Sequence, residues 1–178
     1  KYKNKIFWKY SINILEETIM SKAIYPGSFD PITYGHLDII ERSSNLFDHL
    51  IIAVIKNNKK DFLLNQEERV SLIKKSIAGF ENVEVKVFDS LLIDFAKKEK
   101  SNIIIRGLRV LSDFEYEFKM ALMNRKLDNE ITTLFMMPHE KYTHISSSLI
   151  KEVASLGGKI DDYVSKDVAS RLKEKFNK

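Results

Sequence analysis

Basic and hydroxyl side chains follow the apolar segments of this chain, in positions where they could bind phosphate. Ser28 and His36 follow the first apolar segment, and Arg106 and Arg109 follow the fourth. Arginine binds phosphate through paired hydrogen bonds, and hydroxyl groups add further donors. His36 lies in the first turn of a predicted helix, where backbone N–H groups and the helix dipole favour an anion. These residue types indicate chemistry on a phosphorylated substrate.

Five apolar segments alternate with segments of helical periodicity, and these elements must position the candidate residues. Strands are predicted at residues 23–25, 49–55, 83–88, 102–105 and 131–136. Helices are predicted at residues 35–47, from the cap Asn65 to Ile77, and at 91–98, 113–127, 147–155 and 166–176. Regular strand–helix alternation favours a parallel sheet with right-handed crossovers. We therefore predict an α/β protein: a single Rossmann-like domain with a five-stranded parallel sheet and helices on both faces.

The carboxyl ends of these strands are expected to share one edge of the sheet, which is where ligands bind in such folds. Pro26 and Gly27 are expected to end the first strand, because proline cannot donate to the ladder. After the five strands come, in order, Ser28 and His36; Lys59 and Lys60; Leu91 and Leu92; Arg106 and Arg109; and Tyr142 with three serines. That edge therefore gathers a set of side chains suited to phosphate.

Composition excludes several other classes of protein. The 178 residues include 44% hydrophobic and 30% charged residues, which is typical of one globular domain. The chain has no cysteine, so disulfides, thiolate metal sites and cysteine nucleophiles are excluded. No apolar run approaches the roughly 20 residues that a membrane helix needs. Residues 1–19 hold four lysines and two glutamates and so carry half of the net charge of +4, which leaves weak support for nucleic-acid binding.

Residues 1–19 differ from the rest of the chain, because they mix lysines with aromatics and lack a regular period. Met20 precedes the first strand, and we expect it to be the natural start of a domain at residues 20–178. The leader is then an upstream segment or an artefact. The alternative is an amphipathic arm that packs on a neighbouring protein.

Two common nucleotide-binding motifs are absent. The first strand is not followed by GxGxxG, which argues against a dinucleotide oxidoreductase, and no GxxxxGK[ST] occurs, which argues against a P-loop enzyme. A phosphate-rich edge without either motif suggests transfer on a nucleotide by another route.

Several separated motifs carry a family resemblance. TYGH at residues 33–36 resembles the [TH]xGH signature of the nucleotidylyltransferase superfamily, and ISSSLIK at residues 145–151 resembles its second signature. With YPGSFDPITYGH, RGLRVLSDFEYEF and MNRKL in the same order, the chain resembles the bacterial phosphopantetheine adenylyltransferases over residues 20–176. ISSSLIK and RGLR favour this family over sister enzymes that act on nicotinamide mononucleotide or a cytidylyl acceptor.

The resemblance implies transfer of AMP from ATP to 4′-phosphopantetheine, giving dephospho-coenzyme A and pyrophosphate in the penultimate step of coenzyme A biosynthesis. His36 matches the histidine that contacts the ATP phosphates and stabilises the transition state. Positions that match ATP-binding residues are Ser28, Phe29, His36, Gly107, Leu108, Arg109, Glu117, Tyr142, Thr143, His144, Ile145, Ser146, Ser147 and Ser148, with Asp113 in the same region. Positions that match phosphopantetheine-binding residues are Ser28, Lys60, Leu92 and Arg106. The loop at residues 57–61 departs from the family pattern, so both Lys59 and Lys60 are candidates for the acceptor phosphate.

The chemistry of this reaction needs charge neutralisation more than a base, because the attacking phosphate is already ionised. We expect a cationic His36, Lys60 and Arg106 to supply the charge, assisted by Mg²⁺. No carboxylate cluster offers a protein cage, so we expect no metal ligands from the chain and an ion held by substrate oxygens and water. The resemblance further implies a homohexamer, a cytoplasmic location, coenzyme A or dephospho-coenzyme A as product or inhibitor, and no nucleic-acid or membrane partner.

Simpler roles compete with these predictions. His36 could make a structural hydrogen bond, the two arginines could form surface ion pairs, and the serines could cap the next helix. Glu117 could lie on a solvated helix face. We interpret the group Phe114, Phe118, Met120 and Met123 as core or subunit interface. A rival of another class is a basic nucleic-acid-binding module, which would need a basic stripe with stacking aromatics.

Overall fold

The computed structural model describes residues 21–56, 61–109 and 111–176, with the backbone alone for residues 111–113. The strands are β1 (Lys22–Gly27), β2 (His49–Ile55), β3 (Val83–Phe88), β4 (Ile103–Gly107) and β5 (Thr132–Met136). The helices are α1 (Tyr34–Ser44), α2 (Gln66–Ser76), α3 (Leu92–Lys98), α4 (Leu111–Leu127), α5 (Ser147–Ser155) and α6 (Lys166–Phe176), with a short 3-10 turn at Glu140–Tyr142. The expectations for residues 1–19 and for Lys59 and Lys60 lie outside the described residues.

The five strands form one parallel sheet in the order β3–β2–β1–β4–β5. The chain builds outward from β1 to β3 on one side and then crosses to β4 and β5 on the other. The strand order therefore reverses between β1 and β4, and the predicted fold class is confirmed.

Side chains of the central strands alternate between two apolar cores, one on each face of the sheet. Ala23 and Tyr25 of β1 join the larger core, which is covered by α1, α2, α5 and α6. Ile24 of the same strand joins the smaller core with Ile93 and Phe95 of α3. Because successive strand residues point to opposite faces, the continuous apolar runs are buried on both sides.

The strand β1 ends at Gly27, as expected, but Pro26 is wrongly placed: it lies inside the strand and pairs in register with Ala53 of β2, as Gly27 does with Val54. On the other side, β1 pairs with β4 only at Ala23 and Ile24. The Pro26 carbonyl points toward β4 and accepts a hydrogen bond from Arg106. In a strand the N–H lies on the same side as the carbonyl, so the missing donor of Pro26 falls beyond the end of that ladder.

Helix α4 exposes large apolar side chains. Phe114, Phe118 and Met123 are 43%, 44% and 52% exposed, and the two rings stack 5.5 Å apart. These residues are therefore not part of the core of this chain. Among the described residues, no helix is long and apolar enough to cross a membrane.

Candidate active site

A cavity of about 300 Å³ lies at the carboxyl ends of β1 and β4, where the strand order reverses. Crossovers leave in opposite directions at such a point, so a crevice remains between them. The predicted site residues that line it are Ser28, Phe29, His36, Arg106, Gly107, Arg109, Glu117, Ile145, Ser146, Ser147 and Ser148. The sheet thus brings together residues from both halves of the chain.

His36 is fixed by the cap that starts α1. The backbone N–H of the N-cap Thr33 donates to His36 Nδ1 at 3.1 Å, and the Thr33 hydroxyl accepts from the His36 N–H at 3.4 Å. This is a capping box with a histidine in the place usually taken by Glu or Gln. Because Nδ1 accepts, the neutral ring carries its hydrogen on Nε2. That nitrogen is left to donate to a ligand in the cavity that His36 lines.

Aromatic rings support the same histidine. The Phe29 ring packs edge-on against two other rings, with its centroid 5.1 Å from that of His36 and 5.5 Å from that of Tyr25. Phe29 has a φ of 49°, a left-handed conformation that is uncommon for a bulky residue, and it is almost fully buried. A Cβ on Gly27 would lie 2.9 Å from the Phe29 ring, so only glycine leaves the ring in this place. Burial also raises the pKa of the Tyr25 hydroxyl, which stays protonated.

The charge expected on His36 is not what the structure favours. Burial, assisted by the positive charge of Arg109, lowers the pKa of His36 to about 4. At pH 7 the ring is neutral and acts as a hydrogen-bond donor. The expectation of a cationic His36 is therefore corrected, because the ring is enclosed and already faces a guanidinium.

Arg106 and Glu117 form a two-pronged ion pair across the cavity wall made by β4 and α4. Arg106 Nε donates to one carboxylate oxygen at 2.6 Å and Nη2 to the other at 2.5 Å, while Nη1 donates to the Pro26 carbonyl at 3.2 Å. The carboxylate raises the pKa of Arg106 against the opposing effect of burial. Glu117 is thus not on a solvated face, since its side chain is 12% exposed and holds Arg106 in place.

The loop before α5 supplies hydroxyl groups and the start of a helix. Ser146 caps α5 by accepting from the Leu149 N–H at 3.0 Å, as the capping alternative predicted. Ser147 donates to the Pro31 carbonyl at 2.8 Å, and Arg109 donates to the Ile145 carbonyl at 3.0 Å. The loop is therefore tied at once to the segments that follow β1 and β4, and the remaining N–H groups of α5 begin beside the cavity.

Other predicted residues lie outside the cavity lining. Tyr142 packs on the start of α1, with its ring 6.2 Å from Tyr34, and Leu92 packs against the smaller core. The cavity lining also omits Leu108, Thr143 and His144, which are adjacent to it in sequence.

Three charged residues beside the cavity were missed by sequence reasoning. Asp30 and Arg69 are each 2% exposed, and Lys151 donates to Asp30 at 2.7 Å. Arg69 lies under the Ser28 turn and donates to the Ser28 carbonyl at 2.7 Å. Asp30 and Lys151 lie within the YPGSFDPITYGH and ISSSLIK segments, so the motifs themselves were the sequence signal for both residues.

Metal ligands are not gathered at this site. Among the residues that the structure describes, no three His, Asp or Glu side chains form a group that could hold an ion. Glu117 is the one carboxylate of the described cavity lining, and both its oxygens bind Arg106.

Comparison with known proteins agrees with this geometry. Residues 24–153 match the cytidylyltransferase-like family. The chain is 54% identical over 158 residues to the phosphopantetheine adenylyltransferase of Clostridium perfringens, covering 89% of this chain and 96% of that protein. It is also 54% identical over 159 residues to the phosphopantetheine adenylyltransferase of Caldanaerobacter subterraneus, covering 89% and 99%.

A solved structure shares the fold at low identity. The Plasmodium falciparum nicotinic acid mononucleotide adenylyltransferase superposes with a TM-score of 0.63 at 18% identity, covering 88% of this chain and 96% of that one. At this identity the similarity concerns the fold alone, whereas the relatives at 54% identity show the family. This chain belongs to the cytidylyltransferase-like family and, within it, to the phosphopantetheine adenylyltransferases.

Proposed function

We propose that this chain transfers AMP from ATP to 4′-phosphopantetheine in the cavity between β1 and β4, giving dephospho-coenzyme A and pyrophosphate. The observation that carries the proposal is one cavity lined by His36 at the start of α1, by Arg106 and Arg109 after β4, and by the serines before α5. Two helix starts and two guanidinium groups around one cavity suit a ligand with several phosphates.

The reaction joins a phosphate oxygen of the acceptor to the α-phosphorus of ATP, and the bond to the pyrophosphate oxygen breaks. The attacking oxygen is already ionised, so no general base is required. The chain has to align two polyanions and stabilise the charge that moves onto the leaving pyrophosphate. A neutral His36 serves this through a hydrogen bond from Nε2, while the arginines supply the positive charge.

The site divides between the two substrates. For ATP we propose contacts from His36, Arg109 and the loop at residues 142–148, together with the backbone of Phe29, Gly107 and Leu108. Glu117, which the resemblance placed with the ATP-binding residues, acts here on the acceptor side of the site through Arg106, which it holds. For phosphopantetheine we propose Arg106, Ser28, Leu92 and Lys60 or Lys59. Single Lys59→Ala and Lys60→Ala variants identify the lysine: the one that meets the acceptor phosphate raises KM for phosphopantetheine.

Mg²⁺ does not fit a cage made by the described side chains alone, because the carboxylate of the cavity lining is committed to Arg106. We propose that the ion enters with the ATP phosphates and keeps water as its other ligands, as Mg²⁺ often does. The roles given above for the residues of the chain do not depend on it.

The exposed apolar side chains of α4 support self-association. Exposed large apolar side chains on one helix are expected to be covered in the working protein, because contiguous apolar surface marks interaction sites. We propose the homohexamer that the family resemblance implied, with α4 in the interface. We also propose that the enzyme works in the cytoplasm, where ATP is supplied, and that dephospho-coenzyme A and coenzyme A bind as product or inhibitor.

Pyrophosphate release tests the function. The assay contains ATP and Mg²⁺ with phosphopantetheine, with nicotinamide mononucleotide, or with no acceptor. We expect pyrophosphate release only in the reaction that contains phosphopantetheine as the acceptor. Release only with nicotinamide mononucleotide would keep the chemistry and overturn the acceptor, and no release with either acceptor would contradict the function.

A further inference from the structure

A buried ionic cluster lies behind the turn that follows β1. Asp30 is 2% exposed, and both its oxygens are used: Oδ1 accepts from the Leu64 N–H at 2.9 Å, and Oδ2 accepts from the Leu63 N–H at 3.1 Å and from Lys151 Nζ at 2.7 Å. Asp30 follows Ser28 and Phe29 directly, whereas Lys151 belongs to α5. One carboxylate thus joins three segments that are distant in sequence.

Arg69 extends the cluster on the other side of the turn. Its Nη1 donates to the Ser28 carbonyl at 2.7 Å and to the Ile55 carbonyl at 3.0 Å, and its guanidinium lies 4.2 Å over the Phe62 ring. Ser28 is therefore held through its backbone by Arg69, and Asp30, two residues further along the turn, is held by Lys151. The Ser147 hydroxyl adds a further bond to the Pro31 carbonyl at 2.8 Å.

Geometry rather than stability is the more economical reason for this cluster. Burying an ion pair costs desolvation free energy, and well-packed apolar residues in its place often stabilise a fold to the same degree or more. An ion pair with both oxygens satisfied instead fixes the separation and angle of the segments that it joins. Here those segments are the Ser28–Phe29 turn and the helix that begins at Ser147, which both line the cavity.

We propose that Asp30 and Lys151 are positioning residues that set the Ser28–Phe29 turn at a fixed distance from the start of α5, with Arg69 holding the Ser28 carbonyl. The proposal rests on the proposed adenylyl transfer. Neither Asp30 nor Lys151 lines the cavity, so each acts through the residues it holds. A small error in the relative placement of two substrates lowers the rate strongly, even when each substrate still binds.

The test compares Lys151→Met with Lys151→Arg and with a matched control, Lys75→Met. The control breaks an ion pair of similar length, 2.6 Å from Lys75 to Asp167, which is exposed on the surface. For Lys151→Met we expect kcat to fall at least about tenfold while KM for ATP stays within about threefold. Lys151→Arg restores kcat, and Lys75→Met leaves both constants unchanged.

Amide hydrogen exchange supplies a readout that does not need the reaction. Leu63 and Leu64 donate to Asp30, so their amides are expected to exchange faster in Lys151→Met and not in Lys75→Met. If Lys151→Met fails to fold, the isosteric Asp30→Asn takes its place in both measurements.

Three results would overturn the proposal: kcat within twofold of the parent in a folded Lys151→Met variant, a Lys151→Arg variant as slow as Lys151→Met, or a loss of kcat that only follows the unfolded fraction. If the parent chain releases no pyrophosphate, the proposed function fails, and the exchange rates alone decide whether the ion pair holds the turn.

Discussion

The two walls of the cavity hold their key side chains by different means. On the first wall, made by β1 and α1, His36 is fixed by a helix cap and by the rings of Phe29 and Tyr25. On the second wall, made by β4 and α4, Arg106 is fixed by the Glu117 carboxylate and by a carbonyl from β1. Capping and burial make His36 a neutral hydrogen-bond donor, whereas the ion pair with Glu117 keeps the charge of Arg106 partly accessible to a ligand. The first wall suits charge that develops during the reaction, and the second suits charge already present on the substrate.

The largest effect is expected on the first wall. His36→Ala removes a donor aimed at the transferring phosphates and should lower kcat at least about a hundredfold, as loss of a single such donor typically does. The fold and ATP binding should remain, because the rings around His36 belong to the core. Steady-state turnover with calorimetric ATP binding measures this. His49→Ala is the control, since His49 pairs with Glu84 away from the cavity, and near-normal turnover in His36→Ala would refute the role.

On the second wall, Arg106→Ala should chiefly weaken acceptor binding. Loss of a charged hydrogen bond is worth about 1.5–3 kcal/mol, so we expect phosphopantetheine affinity to fall about ten- to a hundredfold while ATP affinity changes little. Calorimetry with each substrate separately measures the difference. Glu117→Gln should show a weaker form of the same defect, because the arginine remains but its orientation is no longer fixed. Unchanged acceptor affinity in Arg106→Ala would contradict the division of labour between the walls.

A glycine on each wall sharpens the comparison. In Gly27→Ala the new Cβ would meet the buried Phe29 ring at 2.9 Å, and in Gly107→Ala it would meet the Cδ1 end of Ile39 at 2.8 Å. The ring cannot move without moving His36, whereas the end of Ile39 can turn aside. We expect Gly27→Ala to lower the free energy of unfolding by about 1–3 kcal/mol and to slow turnover, with a smaller effect for Gly107→Ala. Denaturant titration and turnover measurements on both variants show which substitution has the larger effect. A larger defect in Gly107→Ala would contradict the view that the Phe29 ring is the less mobile neighbour.

The smallest effect concerns acid. The unfolded chain has a histidine pKa near 6.5, and the folded pKa of His36 is about 4, so the unfolded state binds more protons between these values. The free energy of unfolding therefore falls as pH decreases from about 6.5 to 4, by roughly 1–2 kcal/mol at pH 5, and is unaffected by this group above pH 7. Tm at pH 7 and pH 5 should differ less in His36→Asn than in the parent. An equal difference in both proteins would show that His36 is not buried as a neutral ring.

Local patterns predicted the elements better than the pairings between them. The run His49–Ile55 and the cap Asn65 carry their own signals, β-branched apolar residues and a capping side chain, so β2 and the start of α2 agree with expectation. The Asp30–Lys151 pair joins positions 121 residues apart, and no local pattern encodes that distance. The prediction for Pro26 was wrong because the cost of its missing N–H depends on which side of the strand is paired at that residue. That pairing is a property of the whole sheet. The neutral state of His36 likewise depends on rings and a guanidinium that only the folded chain assembles.

The place of β1 at the centre of the sheet has a consequence for the growing chain during synthesis. β1, β2 and β3 can pair as they leave the ribosome, since their partners are neighbours in sequence. Arg106 reaches the Pro26 carbonyl across 80 residues, and the serines before α5 arrive later still. A chain released early would hold His36 but neither arginine of the cavity. Such a fragment would lack α5 and α6, which cover the larger core, and also the arginines and serines that line the cavity. Incomplete products would therefore not compete with the finished enzyme for its substrates.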